Sequence, residues 1–464
     1  MKLLNKNNLP KSTNAIILII VLLVINANSL WKKQDKVITW DVLEYYSYLP
    51  ATFIYNDVTL SFMNDKNRND YWIFWPHKSP TGKYVFKFTM GMSALYSPFF
   101  FVAHQYAKIS KYEANGFSAP YKLALLLSSW FFLALSLIFL RKILQRYFKP
   151  RVIAFTLLLI VLGTNLLFYT GIRSAMSHVY NFALFSIFIY LVIKWYEKPK
   201  IPISIFIGIV AGLIALIRPS NIIILLFLLF YKINSFKEIP ERIKFLFNKY
   251  SHILLIILLF LLDWLPQLLY WKSQTGQFFY YTYRDEGFFF NNPQIIKGLF
   301  SYRNGWLLYT PLMIFSLIGI YFLFKIKNDF ALAILLFTLL NIYIVTSWWC
   351  WWYVGFGNRA FIDSYAILSI PLAAFITFIF KQKQIIKISS IVVIVFLLFL
   401  NIFQTWQFKR GYIQPASMSK KAYWFLFLNT NPRNAFWELL NKVDYDKAKK
   451  GTYVNLPKTN KQKK

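Results

Sequence analysis

Trp40-Asp41-Val42-Leu43-Glu44-Tyr45-Tyr46-Ser47-Tyr48-Leu49-Pro50-Ala51 follows closely on an apolar run from Asn14 to Trp31. That run is long enough to cross a bilayer, whose ~30 Å hydrocarbon core takes roughly 20 residues of helix. Lys2, Lys6 and Lys11 precede it. The two stretches together carry a carboxylate, Asp41, to the far side of a membrane and set it among aromatic residues. The basic-then-apolar start looks like a signal peptide, but Ile25-Asn26-Ala27-Asn28-Ser29 is a weak cleavage site. A cut there would remove the helix that positions Asp41, so the run reads as a retained signal anchor.

The rest of the chain agrees with a membrane class. Of its 464 residues 57% are hydrophobic, and spanning-length apolar runs recur along most of its length, which excludes a soluble protein. The formal charge of +34 invites a nucleic-acid reading. It is rejected because the Lys and Arg residues sit in short clusters between apolar runs, as cytoplasmic loops require. The basic tail is also suited to anionic lipid headgroups. A single cysteine, Cys350, rules out an intrachain disulfide. No zinc-spaced Cys/His cluster, P-loop or G-x-G-x-x-G occurs, which argues against a nucleotide-driven pump.

Eleven spans are expected, near 14–31, 121–140, 152–170, 177–194, 201–217, 219–232, 251–271, 306–324, 330–347, 362–380 and 388–405. Basic clusters fall before the first span and after the second (Arg141 to Arg151), fourth (Lys194 to Lys200), sixth (Lys232 to Lys249), eighth (Lys325, Lys327) and tenth (Lys381 to Lys387). All lie on one side, the cytoplasm, if 91–107 does not cross. That segment is short, broken by Pro98 and polar at Ser93, Ser97, His104 and Gln105, so it is expected to lie in the interface. The organisation is then a transmembrane domain over 1–405 with outer loops at 32–120 and 272–305. A tail follows over 406–464, with Tyr423-Trp424-Phe425 and Phe436-Trp437 as docking aromatics and a disordered end.

Only eighteen acids occur. Glu197, Glu238, Glu241 and Asp329 sit in cytoplasmic loops, Asp65 and Asp70 in a polar turn over 63–70, and Asp444 and Asp446 in the tail. All of these read as solvated charges. Asp41 and Glu44 differ: three apart, they share a helix face. Their aromatic, interfacial setting favours the protonated acid and suits a general base. An N-cap role for Asp41 explains the residue equally well. Asp263 is the one acid well inside an expected span. Such acids default to a functional hypothesis, but a hydrogen bond between helices near Pro266 is the simpler reading, about 12 Å of helix rise below the outer end.

The motif Trp40-Asp41-x-x-x-Tyr45-Tyr46-x-Tyr48-Leu49-Pro50-Ala51 resembles the first-loop acidic motif of the GT-C superfamily. More narrowly, it is similar to bacterial relatives of protein O-mannosyltransferases and lipid A aminoarabinose transferases. Lys87-Phe88-Thr89-Met90-Gly91 resembles their Lys-Tyr/Pro-Pro-x-Gly motif without the proline pair. Further similar stretches are Ser177-His178-x-Tyr180, Ile217-Arg218-Pro219-Ser220-Asn221, Thr275-Gly276 with Glu286-Gly287-Phe288, Leu299-Phe300-Ser301-x-x-x-Gly305 and Trp351-Trp352-Tyr353-x-Gly355-x-x-x-Arg359. The likeness runs in order over roughly 30–380.

The resemblance implies a GT-C-like fold with interfacial helices in the first periplasmic loop. It also implies a bacterial inner-membrane location with the N-terminus cytoplasmic and the C-terminus periplasmic. The implied reaction is inverting transfer from a polyprenyl-phosphate sugar to a lipid, glycan or protein acceptor, with Asp41 as the base. Departure of a phosphate calls for cations, and arginine forks suit its oxygens. Glu44, Lys87, His178, Arg218, Arg284, Glu286, Arg303, Arg359 and Asp363 all fall on the outer side and are the candidate substrate contacts, Lys87 and Arg359 foremost. Each also has a structural reading. Arg303 suits an interfacial anchor, Arg218 a partner for loop carbonyls, and His178 a packing histidine. Arg284-Asp285-Glu286 forms a self-neutralising loop, and Arg359 with Asp363 an i,i+4 pair. The tryptophans of 348–352 suit either a sugar platform or an interfacial belt. A divalent metal ion on the same acid stays open. The rival classes are a transporter or flippase of a polar lipid, which needs charges near the midplane, and an inactive GT-C-like scaffold.

Overall fold

The structure is a computed structural model that describes residues 11–28, 34–61, 74, 76–432 and 434–456. The turn expected over 63–70, Lys2, Lys6 and the chain end from 457 lie outside the described residues. The helices are α1 (Lys11–Ala27), α2 (Asp41–Phe53), α3 (Gly91–Ile109), α4 (Ala119–Leu144), α5 (Pro150–Leu162), α6 (Leu166–Gly171), α7 (Ser177–Glu197), α8 (Ile201–Ile217), α9 (Leu226–Phe230) and α10 (Ile239–Asn248). Then come α11 (Tyr250–Thr275), α12 (Ile295–Phe300), α13 (Trp306–Tyr309), α14 (Leu312–Lys325), α15 (Ala331–Ser347), α16 (Tyr365–Phe380), α17 (Gln384–Lys409), α18 (Lys420–Leu426) and α19 (Tyr445–Ala448). The main sheet element is a hairpin, β1 (His77–Lys78) against β2 (Tyr84–Val85).

Among the described residues, five helices are long and apolar enough to cross a membrane: α4, α7, α11, α17 and the stretch Arg359–Phe380. Six shorter apolar helices stand at the other six expected spans. The protein is a nearly all-helical, multi-pass membrane protein. Lipid contact is written on α11, where only 17% of the apolar window is buried. Leu254, Leu258, Leu261, Leu262, Leu265 and Leu269 all stand exposed along it. A soluble protein does not carry so large an apolar face.

Two compact units form, each from separated stretches: Met1–Tyr147, Tyr169–Tyr283 and Lys327–Ala333 in the first, Phe148–Phe168, Arg284–Ile326 and Ile334–Lys464 in the second. In the first unit, α4 packs on α7, α7 on α8 and α8 on α11. The basic loops gather at one end of this set. Arg146, just past α4, and Lys194 both pair with Glu197 of α7. Asp329 accepts the Tyr147 hydroxyl at 3.1 Å, and its carbonyl accepts the Lys232 N–H at 2.8 Å. Four of the basic clusters therefore share a side, as the charge pattern requires.

The opposite end holds α2 and the loops around it. α3 is 19 residues long, yet it is not among the helices apolar enough to span. Its start and its exit both lie on this end. Gly91 abuts the last turn of α8, and Gly116, beyond its C-terminus, packs on Pro50 and accepts the Tyr46 hydroxyl at 2.5 Å. The flanks of α3 thus contact α8 and α2 of the first unit.

In the second unit, α14 packs on α16 and α16 on α5. Residues of the tail join this unit: Ala416, Val443 and Ala448 share a buried cluster with Trp349, Cys350, Trp351 and Trp352. Burial pushes the Cys350 thiol up to about 12, so it stays protonated.

Candidate functional site

Asp41 is the first residue of α2, and Trp40 before it takes φ 54°, ψ −131°. A positive φ is strained for a side chain that large, and such strain clusters at functional positions. The residue in the N-cap position is Trp40, with no side-chain cap hydrogen bond, so Asp41 is not the cap of its helix. Asp41 is half-buried. One turn on, Glu44 is buried at 6% exposure. Its Oε2 accepts the backbone N–H of Lys87 at 2.8 Å.

That bond is one of a set. The Phe86 N–H donates to the Tyr270 hydroxyl at 3.1 Å, and the Phe88 carbonyl accepts the Tyr48 hydroxyl at 2.8 Å. The Lys87 carbonyl accepts Thr282 Oγ1, and Thr89 Oγ1 donates to the Leu216 carbonyl. The Met90 N–H donates to Gln267 Oε1 at 2.8 Å. Five consecutive residues, Phe86 to Met90, are thus tied to α2, α8, α11 and the loop after α11. Four of the five, all but Thr89, are tied through backbone atoms, which fixes their side-chain origins without using side-chain atoms. Below it, Tyr48, Val85, Phe86, Tyr270 and Trp271 form an apolar floor.

The Lys87 ammonium lies 5.2 Å from the Tyr283 ring centre, a cation–π distance. Phe88 packs against Tyr45, tilted by 43° at 4.5 Å, and meets Tyr283 edge-on at 5.9 Å. Gly91 lets the next turn close on α8: a Cβ there would stand 2.7 Å from Ile217 N and 2.8 Å from Leu216 C, both backbone atoms. This close approach sets Arg218, the residue that ends α8, beside the same stretch. Asp41, Glu44, Lys87 and Arg218 thus belong to one end of the first unit.

His178 lies in the first turn of α7, fully buried, with its ring edge-on to Tyr169 at 4.9 Å. It is packed into the helix set. Asp263 of α11 faces α8 at Gly212, where a Cβ would come within 2.9 Å of the Asp263 Cβ. Glycine there lets the two helices approach around the carboxyl group, a packing device common between membrane helices.

The remaining candidates lie in the second unit. Arg359 opens a 3-10 turn behind Asn358, which is buried and left-handed at φ 46°. Asp363, in the same turn, is buried. The glycine-rich stretch before them is held by amides. Asn165 Nδ2 donates to the Phe356 and Gly357 carbonyls at 3.0 and 2.7 Å, and Asn304 Nδ2 donates to those of Trp352, Gly355 and Pro415. Arg284 is exposed and left-handed at φ 57°; Glu286 is half-buried. Asp285 between them pairs at 2.9 Å with Lys449 of the tail. Arg303 reaches the tail too, donating to the Asn441 carbonyl at 3.3 Å and to Asn455 Oδ1, over the Trp352 ring. Burial lowers its guanidinium pKa from the ordinary value.

Sequence reading missed His77. Its Nε2 lies 3.5 Å from Glu44 Oε1, an approach longer than a hydrogen bond that becomes an ion pair when the ring is protonated. Only four histidines occur in the chain, and scarcity next to a Pro-flanked turn was the one available signal. Among the described residues no group of three or more His, Cys, Asp or Glu stands close enough to hold a metal ion.

No protein-family model matches the sequence, and no curated protein matches it. Solved structures do match. A crystal structure of the Archaeoglobus fulgidus oligosaccharyltransferase, in complex with zinc and sulfate, superposes with TM-score 0.50 at 13% identity, over 91% of this chain and 57% of that one. At that identity the likeness is one of fold: this chain is folded like that oligosaccharyltransferase. A second GT-C structure, archaeal oligosaccharyltransferase AglB from the same organism with an inhibitory peptide and a dolichol-phosphate, gives 0.49 at 12% identity, over 92% of this chain and 60% of that one. This chain therefore spans less than two thirds of either GT-C neighbour.

Proposed function

We propose that the protein is an inverting membrane glycosyltransferase, acting at the periplasmic face of a bacterial inner membrane on a polyprenyl-phosphate sugar. The observation that carries this reading is the Glu44–Lys87 bond. It fixes a cation-bearing stretch to the helix that begins with Asp41. In the proposed reaction Asp41 takes the proton of an acceptor hydroxyl or amine. The acceptor atom forms the new bond at the anomeric carbon as the carbon–oxygen bond to phosphate breaks. The electron pair leaves with the phosphate, whose charge Lys87 and Arg218 neutralise. Preorganised cations in a water-poor site are effective at this because they need no rearrangement as charge develops. Glu44 is assigned to positioning, since its carboxylate is engaged by the Lys87 backbone. Arg284, Glu286, Arg303, Arg359 and Asp363 are proposed as further substrate contacts, each to be tested by its own alanine variant. The dolichol-phosphate held by one GT-C neighbour supports a lipid-linked donor as a class.

The test is turnover of a radiolabelled polyprenyl-phosphate sugar pool in membranes carrying the wild type or Asp41→Asn. Transfer by the wild type and none by the variant is the expected result. Movement of label across the bilayer without transfer would place the protein among transporters, and neither event would mark an inactive scaffold.

A further inference from the structure

The second unit contains a cleft of about 450 Å³ between the α12–α13 region and the tail. Its size falls in the range of small-molecule and oligosaccharide sites, roughly 300–1,000 Å³. Three cations line it, Lys297, Arg303 and Lys420, and among the described residues no Asp or Glu does. Aromatic walls alternate with them: Tyr302, Trp351 and Tyr453.

Arg303 is pinned through one nitrogen to the Asn441 carbonyl and Asn455 Oδ1. Its Nε is buried and has no protein hydrogen-bond partner among the described residues; the same is true of Trp351 Nε1 and the Tyr453 hydroxyl. Trp351 is buried at 2% exposure. Lys297 lies over the Tyr453 ring at 5.5 Å. Aromatic faces suit the C–H surfaces of sugar rings, and fixed cations suit carboxylates or phosphates on them.

We propose that this cleft binds an acidic glycan, a saccharide bearing carboxylate or phosphate groups. The cleft lies within the second unit and shares Arg303 with the substrate contacts proposed above; the proposal does not depend on glycosyl transfer.

The experiment uses the full chain in nanodiscs of zwitterionic lipid and follows tryptophan fluorescence. The probes are hexagalacturonate, neutral maltohexaose, inorganic phosphate and vesicles rich in phosphatidylglycerol. Hexagalacturonate is expected to bind saturably, more tightly than maltohexaose, and to weaken as salt rises. The Lys297→Ala/Lys420→Ala double variant changes two exposed side chains. It should keep the wild-type melting temperature and lose affinity at least tenfold. No saturable hexagalacturonate binding overturns the proposal. So does equal binding of maltohexaose, binding unchanged in a folded double variant, or competition by phosphatidylglycerol or phosphate alone with no effect of the saccharide.

Discussion

Replacing Glu44 with alanine removes the acceptor of the Lys87 N–H bond, which is 2.8 Å long and buried. A hydrogen bond to a charged group contributes about 1.5–3 kcal/mol, and a buried donor left unpaired costs about 1–3 kcal/mol. The other ties of Phe86 to Met90 remain in the variant, so the loss is local, and about 2 kcal/mol is a fair centre. If Lys87 serves the departing phosphate, that loss falls on the donor step. At 1.36 kcal/mol per decade it lowers kcat/KM for the donor about 30-fold. Glu44→Gln keeps an oxygen acceptor and restores a neutral bond of about 1 kcal/mol, so its drop should stay below about tenfold. The assay is donor titration at saturating acceptor in nanodiscs, with a thermal melt of each variant. The order wild type, Gln, Ala is expected in kcat/KM, and a lower melting temperature for Ala. An alanine variant with wild-type melting and unchanged donor dependence would refute the reasoning.

Asp41→Asn keeps shape and removes the charge; transfer should vanish while the melting temperature stays within a degree or two, and near-normal turnover would remove Asp41 as the base. Gly91→Ala drives a Cβ into the backbone of α8 and should cost about 1–3 kcal/mol as overpacking does, read as a lowered melting temperature together with weaker donor use. In a Cys350→Ser background, a cysteine at position 115 should label from outside intact cells and one at 146 should not; the reverse pattern would place α3 across the membrane. His104 is buried in α3, which is not among the helices apolar enough to span, beside Tyr121 at 2.5 Å, and burial first, then Lys108, lowers its pKa below 6.5. The unfolded chain thus binds the proton more readily. The stability from neutral His104 is full above about pH 6.5 and declines as pH falls below it. A melt series from pH 7.5 to 5 should show that slope, and His104→Gln should flatten it.

The apolar runs were legible because hydropathy over some twenty residues is an additive signal, and each expected span meets an apolar helix. The grouping of the loop cations was legible, and Arg146, Lys194, Lys232 and Asp329 do share an end. Asp41 stood out because acids are few. The partner of Glu44 was not legible, since a backbone N–H carries no residue identity. Docking of the tail was expected through Tyr423-Trp424-Phe425 and Phe436-Trp437; the part played by Ala416, Val443 and Ala448 was not legible, because they are small and scattered and their burial against the tryptophans of 349–352 is tertiary. The interlacing of the two units left no mark in composition or periodicity.

That interlacing has a consequence for biogenesis. The first unit is completed by the short segment Lys327–Ala333, whose Asp329 serves Tyr147 and Lys232. A ribosome reaches this segment only after making two stretches that belong to the second unit. A nascent chain halted before it exposes a hydroxyl and an amide whose acceptors have not been made. Maturation of the first unit is thus timed by translation of the second. A gene split at any single point between 148 and 327 yields fragments that must find each other in the membrane before either unit is whole.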